Sequence, residues 1–317
     1  NYLIFKKMKI LITGGLGQIG SHIAELLLER GDEVAVIDNL ETGRKEHLPD
    51  QERLTIHIET ISNRDKVFEI VESFSPDVII HTAASYKSPD DWYNDTLTNC
   101  VGGANIIEAA KHYNTGRFIY FQTALCYGQK PQEQPITLNH PRVPSGSSYA
   151  ITKTTNEQFL ELSGIEYVTF RLANVVGPRN VAGPLPIFYQ RLKDGKKCFV
   201  TESRRDFVFV KDLAKVVLKA CDGSGQGTYH FSSGSDVSII ELYDAVVKAM
   251  NIAPYPDPDI RSLGEDDVFS ILLDPSRTLD DFGPIDFTPI EQTVKEAIEY
   301  FKEHGTLGEY THLNFKE

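Results

Sequence analysis

Two residues in the segment YAITK have the types and spacing needed for proton transfer, namely Tyr149 and Lys153. The segment is predicted to begin a helix, on which residues four positions apart face the same side. An ammonium beside a phenol would lower the phenol pKa from about 10 toward neutrality, because a nearby cation typically moves the pKa of an acid by roughly 1–3. The resulting phenolate could take a proton from a substrate hydroxyl while hydride leaves the same carbon.

The position of this pair in the chain distinguishes it from other tyrosine–lysine pairs with the same spacing. Two other pairs are spaced in the same way, Tyr2–Lys6 and Tyr189–Lys193. Tyr149 is the tyrosine that starts a helix after the fifth predicted strand, next to the strand that ends at Thr123 in FQTALCYG. Without further motifs, a packed tyrosine beside an exposed lysine is the simpler interpretation. Thr123 likewise either ends a strand or faces a substrate.

A glycine-rich turn near the start of the chain indicates a dinucleotide site. Gly14, Gly17 and Gly20 lie in TGGLGQIG, between a strand-like segment and a helical one. Such glycines let backbone N–H groups approach a pyrophosphate at the positive end of the helix. Asp38 ends the next strand, where its carboxylate would accept hydrogen bonds from ribose hydroxyls and repel a 2′-phosphate, which favours NAD over NADP. The alternative is a structural turn followed by a solvated acid.

The elements that must position these residues alternate between apolar strands and amphipathic helices. Strands are predicted at 9–13, 33–38, 54–58, 77–84, 117–123 and 167–173, and helices at 19–31, 63–73, around 105–113 and at 149–162. This alternation indicates a parallel sheet covered on both faces. A strand at 205–210, a helix at 211–221 and a strand at 228–233 are predicted to return to the sheet.

The predicted fold class is therefore α/β, a Rossmann-type doubly wound parallel sheet with a smaller C-terminal substrate-binding lobe. The predicted NAD-binding domain comprises residues 1–171 and 207–236, and the predicted lobe comprises 172–206 and 237–317.

Composition excludes several other classes of protein. The chain has 317 residues, of which 41% are hydrophobic, and a net charge of −13, which argues against nucleic-acid binding. No apolar segment reaches the length of a membrane span, and the first residues do not form a secretory signal, so Met8 is a plausible natural start. The four cysteines are far apart in the sequence and form no CxxC pair. We therefore expect them to be reduced thiols in a cytoplasmic protein. The histidines show no zinc-binding spacing, so no metal is expected.

Several motifs together resemble the extended short-chain dehydrogenase/reductase family, and in particular its NAD-dependent nucleotide-sugar epimerases and dehydratases. They are TGGLGQIG, DNLETG, HTAA, TNCVGGANIIEAA, YAITK, RLANVVGPRN, RRDFVFVKDLA and GEDDVFSILLDPSRT. The resemblance covers nearly the whole chain from Met8. It implies NAD as the cofactor and a nucleotide sugar, with a UDP-sugar favoured, as the substrate.

The resemblance also implies roles for individual residues. Thr123, Tyr149 and Lys153 would be catalytic, with Thr123 hydrogen-bonded to the sugar oxygen that Tyr149 deprotonates and Lys153 also holding the nicotinamide ribose. Cofactor contacts are expected from Gly14, Gly17, Gln18, Ile19, Asp38, Asn39, Ile61, Ala83, Ala84, Asn99, Tyr149 and Lys153. Substrate contacts are expected from Thr123, Asn174, Arg205 and Asp267. The loop SYKSPDDW is unusual for the family and adds Lys87 as a candidate substrate contact, with a solvated loop lysine as the alternative.

One departure from the family pattern distinguishes between reactions. The 4,6-dehydratases of this family have an acid and a base directly after the residue that corresponds to Thr123. Here these positions are Ala124 and Leu125, which cannot transfer protons. We therefore expect a 4-epimerase, in which hydride leaves C4, the 4-keto sugar turns over, and hydride returns to the other face.

The alternatives are dehydration through another base, reduction of the 4-keto sugar, or a non-catalytic dinucleotide-binding sensor. By the same resemblance we expect a homodimer through the helices near 92–113 and 149–162, and a role in the synthesis of polysaccharide precursors.

Overall fold

The structure, a computed structural model, describes residues 7–86, 88, 90–263 and 268–307. Its central element is a seven-stranded sheet in which all strands are parallel. Its members are β1 (Lys9–Thr13), β2 (Glu33–Asp38), β3 (Leu54–Ile58), β4 (Val78–His81), β5 (Arg117–Thr123), β6 (Tyr167–Leu172) and β11 (Gly227–Phe231). The strand order is β3-β2-β1-β4-β5-β6-β11. The predicted doubly wound parallel sheet is thus confirmed.

Helices cover both faces of this sheet. They are α1 (Gln18–Arg30), α2 (Arg64–Phe74), α3 (Trp92–Asp95), α4 (Gly103–His112), α5 (Ser148–Ser163) and α7 (Val210–Cys221), with a π-helical segment (Thr96–Gly102) that joins α3 to α4. Successive strand residues point to opposite faces. Ile10 and Ile12 therefore pack in the core that contains residues of α1 and α7, whereas Leu11 packs in the core of α2, α4 and α5.

A third core lies beyond the sheet and is built from α6 (Pro184–Lys193), α8 (Ile239–Met250) and α10 (Ile290–His304). Helix α9 (Ser276–Phe282) contributes Phe282 to the core that contains residues of α1 and α7. The short strands are β7 (Asn174–Val176), β8 (Phe199–Thr201), β9 (Arg204–Arg205), β10 (Phe207–Phe209), β12 (Val237–Ser238) and β13 (Asp259–Arg261). They form two-stranded pairs, β10 with β7, β12 with β9, and β13 with β8.

One predicted strand lies in a different place. The segment 205–210 was expected in the main sheet, but β10 pairs with β7 in a separate two-stranded parallel sheet. The reason is geometric, because the free edge of β6 is occupied by β11, which pairs with it from Gly227 to Phe231. The predicted return of 228–233 to the sheet is correct. In the described part of the chain, none of the helices combines the length and the apolar character needed to cross a bilayer.

Candidate active site

A cavity of about 310 Å³ lies at the carboxyl ends of the central strands. In an open parallel sheet this edge is where ligands bind, because the loops on either side of the change in strand order leave a crevice. Most of the predicted site residues line it, namely Gly14, Gly17, Gln18, Ile19, Asp38, Asn39, Ile61, Ala83, Ala84, Thr123, Tyr149, Lys153 and Asn174. The structure therefore brings the glycine turn, the acid and the tyrosine–lysine pair to one cavity.

The glycine turn leaves space that side chains would fill. Gly14 has a φ of +67°, and a Cβ there would lie 2.7 Å from the backbone nitrogen of Ala83. A Cβ on Gly20 would lie 2.4 Å from the carbonyl oxygen of Gly14. Gly17 is the N-cap of α1 and lines the cavity, so the positive end of this helix faces the site. The turn fits a pyrophosphate.

Asp38 is held in place at the end of β2. Its two carboxylate oxygens accept hydrogen bonds from the backbone N–H groups of Leu16 and Leu40, at 3.0 and 2.9 Å. Burial raises the pKa of Asp38, and these two N–H groups oppose the rise. A Cβ on Gly43 would lie 2.6 Å from the carboxylate, so Gly43 keeps the space beside it small. The arrangement fits ribose hydroxyls and disfavours an added phosphate.

The segment after Asp38 is attached to the last described helix. Arg44 donates a hydrogen bond to the carbonyl oxygen of His304 at 2.9 Å, at the C-terminal end of α10. His47 Nε2 lies 2.7 Å from the Tyr300 hydroxyl, and its Nδ1 lies 2.7 Å from the carbonyl oxygen of Leu16. The Arg44 guanidinium is thus directed to α10, so it does not counter the NAD preference inferred from Asp38.

Lys153 projects from α5 into a buried environment and is only 3% exposed. Its Nζ lies 4.3 Å from the centroid of the Tyr120 ring, and the Tyr120 hydroxyl donates a hydrogen bond to the Lys153 carbonyl oxygen at 2.9 Å. Burial lowers the pKa of Lys153 to about 7, and the negative charge of Glu157 opposes this effect. The ammonium can therefore lose its proton near neutral pH, unlike that of an exposed lysine.

The expected lowering of the Tyr149 pKa is wrong for this structure. Burial raises the pKa of Tyr149 well above its ordinary value, and Tyr86 and Asp95 add to the increase. The physical reason is that both members of the pair are desolvated, so Lys153 is itself only partly charged near neutrality. The spacing of Tyr149 and Lys153 predicts that they share one face of a helix. It does not indicate how deeply the fold buries them, and burial is what shifts both pKa values.

Thr123 is oriented by backbone contacts at the end of β5. Its Oγ accepts a hydrogen bond from the N–H of Leu125 at 3.1 Å, which leaves the hydroxyl proton as a donor. Its own N–H donates to Oε1 of Gln122 at 2.9 Å. The residues Ala124–Tyr127 then form a turn of 3-10 helix. The threonine hydroxyl is thus suited to donate to an oxygen in the cavity.

The cavity is also lined by residues to which the sequence analysis gave no role. Gly183 is the N-cap of α6 and has a φ of +89°, so a second helix N-terminus meets the cavity. Asn180 is 7% exposed, and its Oδ1 has no hydrogen-bond partner among the described residues. Tyr86 lines the cavity and meets the Tyr149 ring edge-on at 6.1 Å between centroids. The motif RLANVVGPRN included Asn180, but it indicated a role for Asn174 alone.

Two predicted site residues do not line the cavity, and two others fall outside the described residues. Within the described part of the chain, Asn99 and Arg205 are outside the cavity lining. The Asn99 amide contacts the backbone of Ser85 and the Thr152 hydroxyl, at 2.8 to 3.0 Å, so it supports the loop after β4. Arg205 donates to backbone carbonyl oxygens, including that of Phe269. Lys87 and Asp267 lie outside the described residues. The roles of all four stay predictions.

One family model matches most of this chain, and the similar proteins include NAD-bound enzymes and a UDP-glucose 4-epimerase. The model of the NAD dependent epimerase/dehydratase family matches residues 10–231. The Bordetella bronchiseptica enzyme WbmH, solved in complex with NAD+, is 65% identical, with a TM-score of 0.93 over 94% of this chain and 99% of that one. The enzyme WbmG of the same organism, solved with NAD and UDP, is 37% identical, with a TM-score of 0.88 over 99% and 100% of the two chains. The UDP-glucose 4-epimerase of Halalkalibacterium halodurans is 28% identical over 94% of this chain and 96% of its own.

Proposed function

Because the chain belongs to the NAD-dependent epimerase/dehydratase family, we propose that it is an NAD-dependent UDP-sugar 4-epimerase. One observation carries this proposal. Thr123, Tyr149 and Lys153 line the same cavity as the glycine turn and Asp38, whereas the two residues after Thr123 have no ionisable side chain. The site therefore has the groups for reversible oxidation at C4 and lacks, at those positions, the acid and base that eliminate water.

The cofactor half of the site follows from the geometry of the glycine turn. The N-terminus of α1 and the turn at Gly14 and Gly17 would hold the pyrophosphate, and Asp38 would hold the adenosine ribose. When bound, NAD supplies the acceptor and donor of the C4 hydride and a cationic ring whose charge favours the phenolate form of Tyr149. Lys153 would hold the nicotinamide ribose.

The proton chemistry belongs to three side chains. Tyr149 would take the proton of the sugar 4-hydroxyl as the carbon is oxidised and return it after the keto sugar has turned over. Thr123 would donate a hydrogen bond to the same oxygen, since its Oγ already accepts the N–H of Leu125. Lys153, with its pKa lowered to about 7, would stabilise the phenolate in its ammonium form.

We propose the part of the site that binds the nucleotide sugar from two observations, the N-terminus of α6 at the cavity and the ligands named for the relatives. Gly183 and Pro184 place the start of α6 at the cavity, where its partial positive charge would favour the substrate diphosphate, and Asn174 lines the same cavity. UDP is present in the WbmG structure, and a UDP-sugar is named for the H. halodurans relative. We assign substrate binding to the lobe of residues 172–206 and 237–317, which includes Arg205 and Asp267, with a further contact from Lys87.

The proposal is tested by incubating the protein, with NAD, with UDP-glucose and UDP-N-acetylglucosamine that carry deuterium at C4. We expect the 4-epimer of at least one sugar by NMR, with the deuterium retained because the same hydride returns. Release of water with transfer of the deuterium from C4 to C6 would instead indicate a dehydratase. Net consumption of added NADH in the presence of the 4-keto sugar would indicate a 4-keto reductase. Inertness toward UDP-, GDP- and CDP-sugars, with NAD-dependent binding of a protein partner, would indicate a sensor.

We also propose a homodimer. Six large apolar side chains between 41 and 81% exposed lie on α3, the π-helical segment and α5, namely Trp92, Tyr93, Val101, Ile151, Phe159 and Leu162. Exposed apolar area on adjacent helices is typical of a protein interface. Leu162→Glu should convert a dimer to a monomer in size-exclusion chromatography with light scattering, whereas Ile260→Glu, at an equally exposed site elsewhere, should not. A wild-type monomer would contradict this proposal.

The location we propose is the cytoplasm. The four cysteines are unpaired, and Cys126, Cys198 and Cys221 are buried without a disulfide. Unpaired thiols of this kind are typical of proteins in reducing compartments. Synthesis of polysaccharide precursors is the role we propose there.

A further inference from the structure

Glu157 is a fully buried carboxylate that the proposed mechanism does not use. It lies on α5 four residues after Lys153 and eight after Tyr149, so the three side chains project from neighbouring turns of one helix face. Arg171 Nε and Arg142 Nη1 each donate to it at 3.0 Å. A buried ion pair adds little stability compared with well-packed apolar residues, so the site needs another reason to hold this charge.

Gln122 connects Glu157 to the strand that ends at Thr123. Gln122 Nε2 donates to Oε2 of Glu157 at 3.0 Å, and Gln122 Oε1 accepts the N–H of Thr123 at 2.9 Å. An ionised carboxylate only accepts hydrogen bonds, so it requires the NH₂ group of Gln122 on its side. The Gln122 oxygen is thereby directed to Thr123. Gln122 is 1% exposed and also reaches the cavity lining.

The same carboxylate acts on the helix side of the site. Its negative charge favours the ammonium form of Lys153, in opposition to burial. The Lys153 ammonium lies over the Tyr120 ring, which belongs to the strand that carries Gln122 and Thr123. Glu157 is therefore in contact, or in electrostatic range, with both halves of the catalytic arrangement, the strand end and the helix.

We infer that Glu157 and Gln122 form a positioning pair that fixes Thr123 on β5 relative to Tyr149 and Lys153 on α5. The inference rests on the proposed epimerase function. Neither residue touches the reacting atoms in this role, because Glu157 acts through Gln122, and Gln122 acts through the backbone of Thr123.

The test uses the NAD-loaded protein and exchanges the carboxylate at position 157 with the amide at position 122. Glu157→Gln removes the charge that orients the Gln122 amide, and Gln122→Glu places two carboxylates face to face. Each single variant should lower kcat by about 10- to 100-fold, the effect of misplacing a reacting group by a fraction of an ångström to an ångström, with KM and NAD content unchanged. In the double variant the carboxylate at position 122 accepts both the Thr123 N–H and the amide at 157, so kcat should recover at least tenfold over the single variants.

Glu161→Gln is the matched control. Glu161 lies one turn further along α5 and binds Arg142 at 2.9 Å, but its side chain does not contact Gln122 or Arg171 in the described structure. It should keep kcat within twofold of wild type. If a single variant fails to fold, Gln122→Met removes only the amide and should show the same fall in kcat with an unchanged thermal unfolding temperature.

Three results would overturn the inference: single variants with kcat within twofold of wild type, a folded double variant no better than the single ones, or losses of kcat matched by losses of NAD content. Amide hydrogen exchange gives a readout that does not depend on turnover. The Thr123 amide should exchange faster in each single variant and return to the wild-type rate in the double one. If the wild type converts no UDP-sugar, the proposed function fails, and unchanged exchange at Thr123 would then reject the pairing separately.

Discussion

Replacing Lys153 by methionine should stabilise the nucleotide-free protein at neutral pH, and the gain should shrink as pH rises. Lys153 is 3% exposed, and burial lowers its pKa from 10.5 to about 7. Methionine has similar length and flexibility, and it needs no hydration. The contact of the ammonium with the Tyr120 ring is lost, but a desolvated contact of this kind contributes about 2 kcal/mol, which is less than the cost of burying the charge at neutral pH.

The size of the effect follows from the two pKa values. Between pH 7 and 10.5 the unfolded chain holds a proton on Lys153 that the folded protein has released, so the stability of the wild type rises with pH by up to about 1.4 kcal/mol per pH unit. The destabilisation from burial is then about 4 kcal/mol at pH 7.5 and about 1 kcal/mol at pH 9.5. The advantage of the methionine variant should fall by roughly 2–3 kcal/mol between these conditions.

The assay is urea unfolding of nucleotide-stripped wild type and Lys153→Met at pH 7.5 and 9.5, at one protein concentration. Other groups titrate in this range, but they are common to both proteins and cancel in the difference. Lys111→Met, at an exposed helical position, should show no pH-dependent difference from wild type. A methionine variant whose stability difference is the same at both pH values would refute the argument that Lys153 is desolvated.

Three further predictions concern the cofactor and the reaction. Tyr149→Phe removes only the hydroxyl and should lower kcat by about 100-fold or more with NAD content retained, as measured by NMR of the products and absorbance of the released nucleotide. Asp38→Asn keeps the size of the side chain but loses the charge that repels a 2′-phosphate, so thermal shifts should become similar for NAD and NADP; a variant that still responds to NAD alone would contradict the role of that charge. Gly14→Ala places a Cβ 2.7 Å from the Ala83 nitrogen at a φ of +67°, so we expect a loss of about 2 kcal/mol or more in urea unfolding, and an unchanged midpoint would show that the turn can relax.

The main sheet could be predicted from sequence because each of its strands carries its own signal. The segments KILIT, EVAVID and RFIYFQT each have a continuous apolar centre, as is typical of buried parallel strands. The segment 205–210 carries a similar signal, yet β10 joins β7 instead. Apolar character shows that a strand is buried but not which edge it pairs with, and the edge was decided by β11, which is distant in sequence.

In the site, too, features defined by consecutive residues could be predicted, whereas contacts between residues distant in sequence could not. The glycine turn and Asp38 could be found because their roles depend on a few consecutive residues. Tyr86 and Gly183 reach the cavity only through the path of their loops, which no short pattern describes, whereas Asn180 lies in the motif RLANVVGPRN but was given no role. Gln122 was visible as a polar residue in an apolar strand, but its partner Glu157 is 35 positions away. The raised pKa of Tyr149 likewise depends on how deeply the folded chain buries it.

The contacts of Arg44 and His47 with α10 limit which parts of this chain can be exchanged with those of a relative in a chimera. The helix packs in the core of α6, α8 and α10, yet its residues Tyr300 and His304 hold the segment that follows Asp38. A chimera that joins the proposed nucleotide domain to the corresponding proposed lobe of a relative would replace α10 and leave that segment without its support. Such an exchange of substrate range requires either residues equivalent to Tyr300 and His304 in the donor or transfer of segment 39–48 together with the lobe.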